Sequence, residues 1–158
     1  MSHHGTTRKI ALQLADDLGI AKTTVVDFKS QHVPDLTTFD TIIIGGSIHA
    51  GQIQRKISEF CINNRSELLS KRVGLFICAM ESYEMKAEFD TAFPEWLRNH
   101  AIAHGLFGGE LLLDKMNFLE KIIVKSIYGV KTNLHEIDEK AIAIFEKKIA
   151  VSTSISKS

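Results

Sequence analysis

An excess of charge of either sign is missing from this chain: 19 Lys and Arg stand against 19 Asp and Glu in 158 residues. The balance, with no Lys/Arg tract, excludes the basic footprint of a nucleic-acid-binding surface. It also excludes a charge-driven disordered tail as the main feature. Long apolar runs are missing too. No stretch reaches the roughly 18 residues of a transmembrane helix, and no basic segment followed by an apolar one marks a signal peptide. Cysteine is scarce. Cys61 and Cys78 each lie inside an apolar run and read as buried thiols rather than a disulfide, which fits a reducing cytosol. No internal repeat is visible. The sequence therefore reads as one soluble, cytoplasmic domain, large enough to bury a core without staples. That domain is expected over residues 1–150, with a polar tail over 151–158.

What is present is an alternation of periods. Ile10, Leu14 and Leu18 recur every fourth residue with Ala11 and Ala15 beside them, which predicts an amphipathic helix, and Gly19 suits the position just past its end. Thr23–Phe28 is β-branched and reads as a strand. Thr41–Ile44 and Val73–Ala79 are apolar at consecutive positions, the pattern of strands covered on both faces in a parallel sheet. A helix is expected after the first of these, with Ile53, Ile57, Phe60 and Cys61 on one face. Another carries Phe89, Phe93, Trp96 and Leu97, with Pro94 starting a new turn or kinking it. Residues 103–113 read as a further strand, open to interruption at Gly105, Gly108 and Gly109. Phe118–Tyr128 reads as an apolar helix punctuated by Lys121 and Lys125, which covers a sheet edge or, less ordinarily, meets a membrane surface or quinone. Asn133 with Glu136 resembles a capping box for a last helix bearing Ile137, Ala141, Ile144, Phe145 and Ile149. Strands alternating with helices predict an α/β fold: a doubly wound parallel sheet in three α/β/α layers. Ligands of such sheets bind beyond the C-terminal strand ends.

Three loops are candidates for that place. Ser2, His3, His4, Gly5, Thr6 and Thr7 bring hydroxyls, a glycine and main-chain N–H groups to a helix N-terminus, the parts of an anion site. Ser and Thr at such a point are ordinarily just caps. Gly46, Ser47, Ile48, His49, Ala50 and Gly51 form a glycine-rich turn after a strand, where the backbone can approach a flat ligand or simply turn tightly. Ala79, Met80, Glu81, Ser82 and Tyr83 offer a ring for stacking, or ordinary loop packing. His49 could donate to a ligand or move a proton near neutral pH. Glu81 and Cys78 read as a surface carboxylate and an inert thiol, and His100, His104 and His135 lack metal-ligand spacing. No residue stands out as catalytic.

Together the three loops resemble the flavodoxin family. Ser2, Gly5 and Thr7 match the end of its phosphate loop, T/S-x-x-G-x-T, with Arg8-Lys9-Ile10-Ala11 opening the first helix. The run Thr41-Ile42-Ile43-Ile44-Gly45-Gly46-Ser47-Ile48-His49-Ala50-Gly51 is similar to the menaquinone-dependent protoporphyrinogen oxidase branch, as are Phe107-Gly108-Gly109-Glu110-Leu111 and a segment over about 114–132. The resemblance implies FMN, its phosphate held by residues 2–7 and its ring system between residues 46–51 and 79–83. It implies electron transfer from a reduced small molecule, a porphyrinogen among the candidates, to a quinone or a redox protein. It implies no nucleic acid and at most peripheral membrane contact. An electron-shuttling flavodoxin with protein partners and a domain that no longer holds flavin are the alternatives, and a net charge of zero speaks against a pure shuttle. The family's first strand precedes its phosphate loop, and here only Met1 precedes Ser2. The expectation is a sheet lacking that strand, with a gap between Thr23–Phe28 and Thr41–Gly46 and a coding start further upstream.

Overall fold

The computed structural model describes residues 5–19, 22–49, 51–79, 84–111, 122, 134–135 and 137–155. Helix α1, Thr6–Asp17, buries Ile10, Leu14 and Ala15, the stripe its spacing foretold. Its flanking glycines Gly5 and Gly19 sit at φ 89° and 100°, left-handed conformations that glycine adopts without a Cβ clash. Strand β1, Thr41–His49, turns back into the two-residue β2, Gln52–Ile53. Helices α2, Arg55–Asn63, and α3, Arg65–Ser70, lead to β3, Arg72–Cys78. Helices α4, Met85–Ala92, and α5, Glu95–His100, lead to β4, Ala103–Leu106. Pro94 caps α5, so the chain starts a new helix there. After β4 come β5, Glu110–Leu111, and its antiparallel partner β6, Leu134–His135, then α6, Glu139–Ile155.

The main sheet has the order β2-β1-β3-β4. β1 and β3 run parallel in register from Thr41↔Arg72 to Ser47↔Cys78, and β3 and β4 from Gly74↔Ala103 to Ile77↔Leu106. The pleat sends alternate residues of β3 to opposite faces. Val73, Leu75 and Ile77 join Ile57, Cys61, Phe89 and Leu97 of the helices α2, α4 and α5. Phe76 and Cys78 join Ile10 and Leu14 of α1 and Ile142, Phe145 and Ile149 of α6. The doubly wound three-layer α/β/α arrangement expected from the continuous apolar strands is therefore present. On the α1/α6 face, Phe76, Phe107 and Phe145 form one ring cluster, with centroids 5.0 to 6.3 Å apart. Glycines make room for it: a Cβ on Gly45 would lie 2.0 Å from Phe76 Cζ, on Gly74 2.8 Å from Phe145 Cζ, and on Gly105 2.3 Å from Phe107 Cζ.

Several sequence expectations differ from this structure. Thr23–Phe28 forms no strand. Residues 45–49 continue β1 instead of forming a loop, and Ile53 belongs to β2, not to the next helix. The reason is Gly46, which is buried under Ile53 and Ile57; without a side chain it lets the hairpin fold flat against α2. The last helix starts later than expected, at Glu139, where Asp138 Oδ1 accepts from the Ala141 N–H at 2.9 Å. Its buried stripe is Ile142, Phe145 and Ile149, while Ile144 is 58% exposed. The helix continues to Ile155, into the expected tail. Asn133, Glu136 and, apart from the exposed Ile122, Phe118–Tyr128 lie outside the described residues. Among the described residues, no helix is long and apolar enough to cross a membrane.

Candidate functional site

The parallel register decides which loops are neighbours. Ser47 and Cys78 pair at the C-terminal ends of β1 and β3, so the turn at Gly51 and the chain from Ala79 onward leave the sheet at the same edge. The start of α1 lies there as well. Gln13 Nε2 donates to Glu139 Oε2 at 3.0 Å, and Asp17 hydrogen-bonds Glu146, so α1 and α6 run side by side in one direction. The N-terminus of α6 lies at the end of β4, where the Asp138 N–H donates to the Phe107 carbonyl at 3.1 Å. Further along α6, the Ile149 carbonyl accepts from Arg72 Nη2 at the start of β3, at 2.6 Å. Both helices thus run from the C-terminal edge of the sheet to its N-terminal edge, and Gly5 opens α1 at the same edge as Ser47 and Cys78.

The start of α1 has anion-binding character. A helix N-terminus carries about half a positive charge and main-chain N–H groups with no partner inside the helix. Gly5 caps this one without a side-chain hydrogen bond, and among the described residues a Cβ there would meet nothing within 4 Å. Thr7 is 2% exposed, yet its Oγ1 has no hydrogen-bond partner among the described residues. A buried unpaired hydroxyl costs about 1–3 kcal/mol, and such an atom marks either a strained site or a missing acceptor. Thr6 beside it is buried too. Ser2, His3 and His4 lie outside the described residues.

At the end of β1 a side chain that the sequence reading passed over does the positioning. Gln54 Nε2 donates to the Ser47 carbonyl at 2.8 Å and to Ser47 Oγ at 2.6 Å, and Ser47 Oγ lies 3.2 Å from His49 Nε2. Gln54 therefore ties the hairpin down and holds Ser47 against the exposed imidazole. The only hint of this in the sequence was a polar residue between two buried isoleucines, Ile53 and Ile57. Gly51 takes φ 73° in the turn, as a glycine-specific turn requires. Ile48 is half-buried against the α2 face. Ala50, Met80, Glu81, Ser82 and Tyr83 lie outside the described residues, and Ala79 is buried at the strand end. Glu88, in the first turn of α4, was also not foreseen; burial, and then Glu84, holds its carboxyl above the usual range.

Other candidates are structural. Cys61 is buried, and burial pushes its thiol up to about 12, so it is inert. Cys78 is buried in the ring-cluster face. His100 Nε2 bonds the Lys71 carbonyl at 2.7 Å and His104 Nε2 the Arg98 carbonyl at 2.9 Å, which ties helix ends to loops.

A doubly wound sheet with helices on both faces and three chain segments gathered at one C-terminal edge defines an α/β ligand-binding domain of the open-sheet kind. The particular family follows from the sequence comparison: the chain belongs to the flavodoxin domain family, whose model matches residues 1–138. Flavodoxin domains are flavin-binding redox modules. No curated protein and no solved structure matches the chain.

Proposed function

We propose that the chain is an FMN-dependent oxidoreductase similar to the protoporphyrinogen oxidase branch, acting in the cytoplasm with at most peripheral membrane contact. The observation that carries the reading is the buried Thr7 hydroxyl at the N-terminus of α1, without a hydrogen-bond partner among the described residues, at the same edge as the ends of β1 and β3. A phosphate oxygen fits that hydroxyl as its acceptor, and the helix dipole and first-turn amides favour the charge. Bound there, FMN would supply the redox chemistry, taking a hydride equivalent from a reduced small molecule and passing electrons to a quinone or another acceptor. The chain's own residues bind and orient. Thr7 and the first turn of α1 hold the anionic end. Gln54 fixes Ser47, and Ser47 sets the His49 ring where it can donate a hydrogen bond or hold a proton at the strand end. Ala79 stands just past the end of β3, at the same edge.

The test is Thr7→Val in an FMN titration followed by flavin absorbance. The variant should bind FMN about 10- to 100-fold more weakly, the worth of a hydrogen bond to a charged group. Its ligand-free stability should stay level or rise, because an orphan hydroxyl has gone. Equal affinity in both proteins, or no FMN retained by the parent chain, rejects the reading. Turnover of a porphyrinogen with a quinone then supports the substrate class, and reduction only by a protein reductase supports the electron shuttle instead.

A further inference from the structure

The end of β1 carries a chain of polar side chains whose hydrogens can be placed. Along β1, Ile42, Ile44 and Ile48 pack on the face covered by α2, and Ile43 packs on the face covered by α1 and α6. The alternation of a strand therefore puts Ser47 and His49 on the side of α1. The hairpin pairs Ile48 with Ile53 and His49 with Gln52. One step further along that register, Gln54 stands opposite Ser47. Gln54, Ser47 and His49 thus form a contiguous polar row at the edge where α1 begins.

The chemistry of the three groups decides which way the hydrogens run. The Ser47 carbonyl oxygen only accepts, so the Gln54 atom 2.8 Å from it is the amide nitrogen. The same nitrogen lies 2.6 Å from Ser47 Oγ. An amide NH₂ group donates twice and does not accept, so one hydrogen goes to the carbonyl and the other to the hydroxyl. Ser47 Oγ is therefore an acceptor toward Gln54, and its own hydrogen points elsewhere. Among the described residues, the other polar side-chain atom bonded to Oγ is His49 Nε2, at 3.2 Å. Two arrangements can join them. In the first, the hydroxyl donates and Nε2 accepts. In the second, Nε2–H donates, Oγ accepts twice, and the hydroxyl hydrogen has no acceptor among the described residues. The first uses every hydrogen of the row. It is also cooperative, because a hydroxyl that accepts one hydrogen bond donates the next more strongly.

We infer that Gln54 sets the tautomer of His49. The row runs from Gln54 Nε2–H to Ser47 Oγ–H to His49 Nε2, and the neutral imidazole carries its hydrogen on Nδ1. Which ring nitrogen holds the proton follows from the bond that the other one makes. His49 then addresses a ligand at this edge as an N–H donor, which suits an acceptor such as a carbonyl oxygen, and Gln54 is a positioning residue that acts through Ser47. The assignment of that acceptor to a flavin carbonyl rests on the function proposed above; the tautomer does not.

The test reads the ring nitrogens directly, in the full chain and without flavin. Two-bond ¹H–¹⁵N correlation spectra of histidine-labelled protein are recorded at about pH 8.5, well above the ordinary histidine value of about 6.5. A His49→Gln sample assigns the His49 signals. The parent should hold Nδ1–H over Nε2–H by about ten to one, the worth of one net hydrogen bond. Ser47→Ala and Gln54→Leu should each shift the ratio toward Nε2–H, the first by about tenfold. Gln54→Glu should reverse it, because a carboxylate accepts the hydroxyl hydrogen and leaves Oγ to accept from Nε2–H. A role for Gln54 that only holds the hairpin would give no reversal, and Glu and Leu would then act alike. Ser47→Ala keeps the bond from Gln54 to the main chain and decides the matter should the Gln54 variants fold poorly. The inference is overturned if the parent ring is the Nε2–H form, if Ser47→Ala leaves the ratio unmoved, or if folded Gln54→Glu keeps Nδ1–H. A parent chain that retains no FMN rejects the flavin reading and leaves the tautomer to these spectra, whereas FMN bound to a chain whose His49 is the Nε2–H form overturns this inference alone.

Discussion

The two sides of β1 have the same kind of sequence and opposite fates. On one side lies β3, an apolar run in register over seven residues and buried from Val73 to Cys78. On the other lies Thr23–Phe28, equally β-branched, half-buried and in no ladder. Phe28 is held by its ring against Phe60 at 5.0 Å and by its carbonyl, which accepts from Lys56 Nζ at 3.0 Å, so this flank is anchored to α2 and not to the sheet. β-propensity measures how well a residue fits a pleated, half-buried surface rather than a backbone preference. A strand exists where a neighbouring ladder exists, and Val25-Val26 has none among the described residues.

Truncation should expose the contrast most strongly. Phe76 contacts the rings of Phe107 and Phe145 at the centre of the paired side. Phe76→Ala should cost about 3–5 kcal/mol in denaturant unfolding. A loss under about 1 kcal/mol would mean that the paired side is no better packed than the open one. Gly45→Ala comes next. Its Cβ would meet the Phe76 ring edge, and overpacking of this kind costs about 1–3 kcal/mol. Pairing it with Phe76→Leu should recover part of the loss, and a strictly additive double variant would rule out the direct clash.

A smaller effect, with a sign that depends on pH, is expected where α1 meets α6. Burial, then the hydrogen bond to Asp17 and the charges of Asp17 and Glu139, push Glu146 up to about 7 from its ordinary 4.5. The folded state therefore holds a proton that the unfolded state has released. The corresponding stability is full below about pH 4.5 and is lost as pH rises through about 7. Glu146→Gln should raise stability at pH 8 by about 1 kcal/mol after allowance for solvent screening. Near pH 4 it should change little. A difference between variant and parent that is flat in pH across this window would contradict the assignment. The smallest effect is expected on the open flank. Val26→Ala, beside a cavity that Val25, Val26, Ile42 and Ile43 line, should cost less than about 1 kcal/mol, and a cost like that of Phe76→Ala would show the flank to be packed after all.

The carriers of the candidate site were legible in the sequence to different degrees. Gly5, Thr6 and Thr7 were marked by their place before a periodic helix, and Gly51 by turn chemistry. Gln54 was not, because its part depends on a hairpin that brings it back over Ser47 across seven residues. Glu88 was missed because its burial is set by packing around α4. The sheet glycines Gly45, Gly74 and Gly105 carried no local signal of their use either, since the rings they admit come from other strands and from α6.

By itself the sequence determined the period of each element, the apolar stripe of α1, the continuous runs of β1 and β3 and hence the layered α/β class. These follow from side-chain chemistry at fixed spacing, which is a local property. Only the tertiary structure decided the extent of β1, the point where α6 begins, which loops share an edge, and that one β-branched run pairs while another does not. Each of those depends on a partner distant in the chain: hydrogen-bond ladders and close ring contacts stabilise a segment only when the second surface is in place.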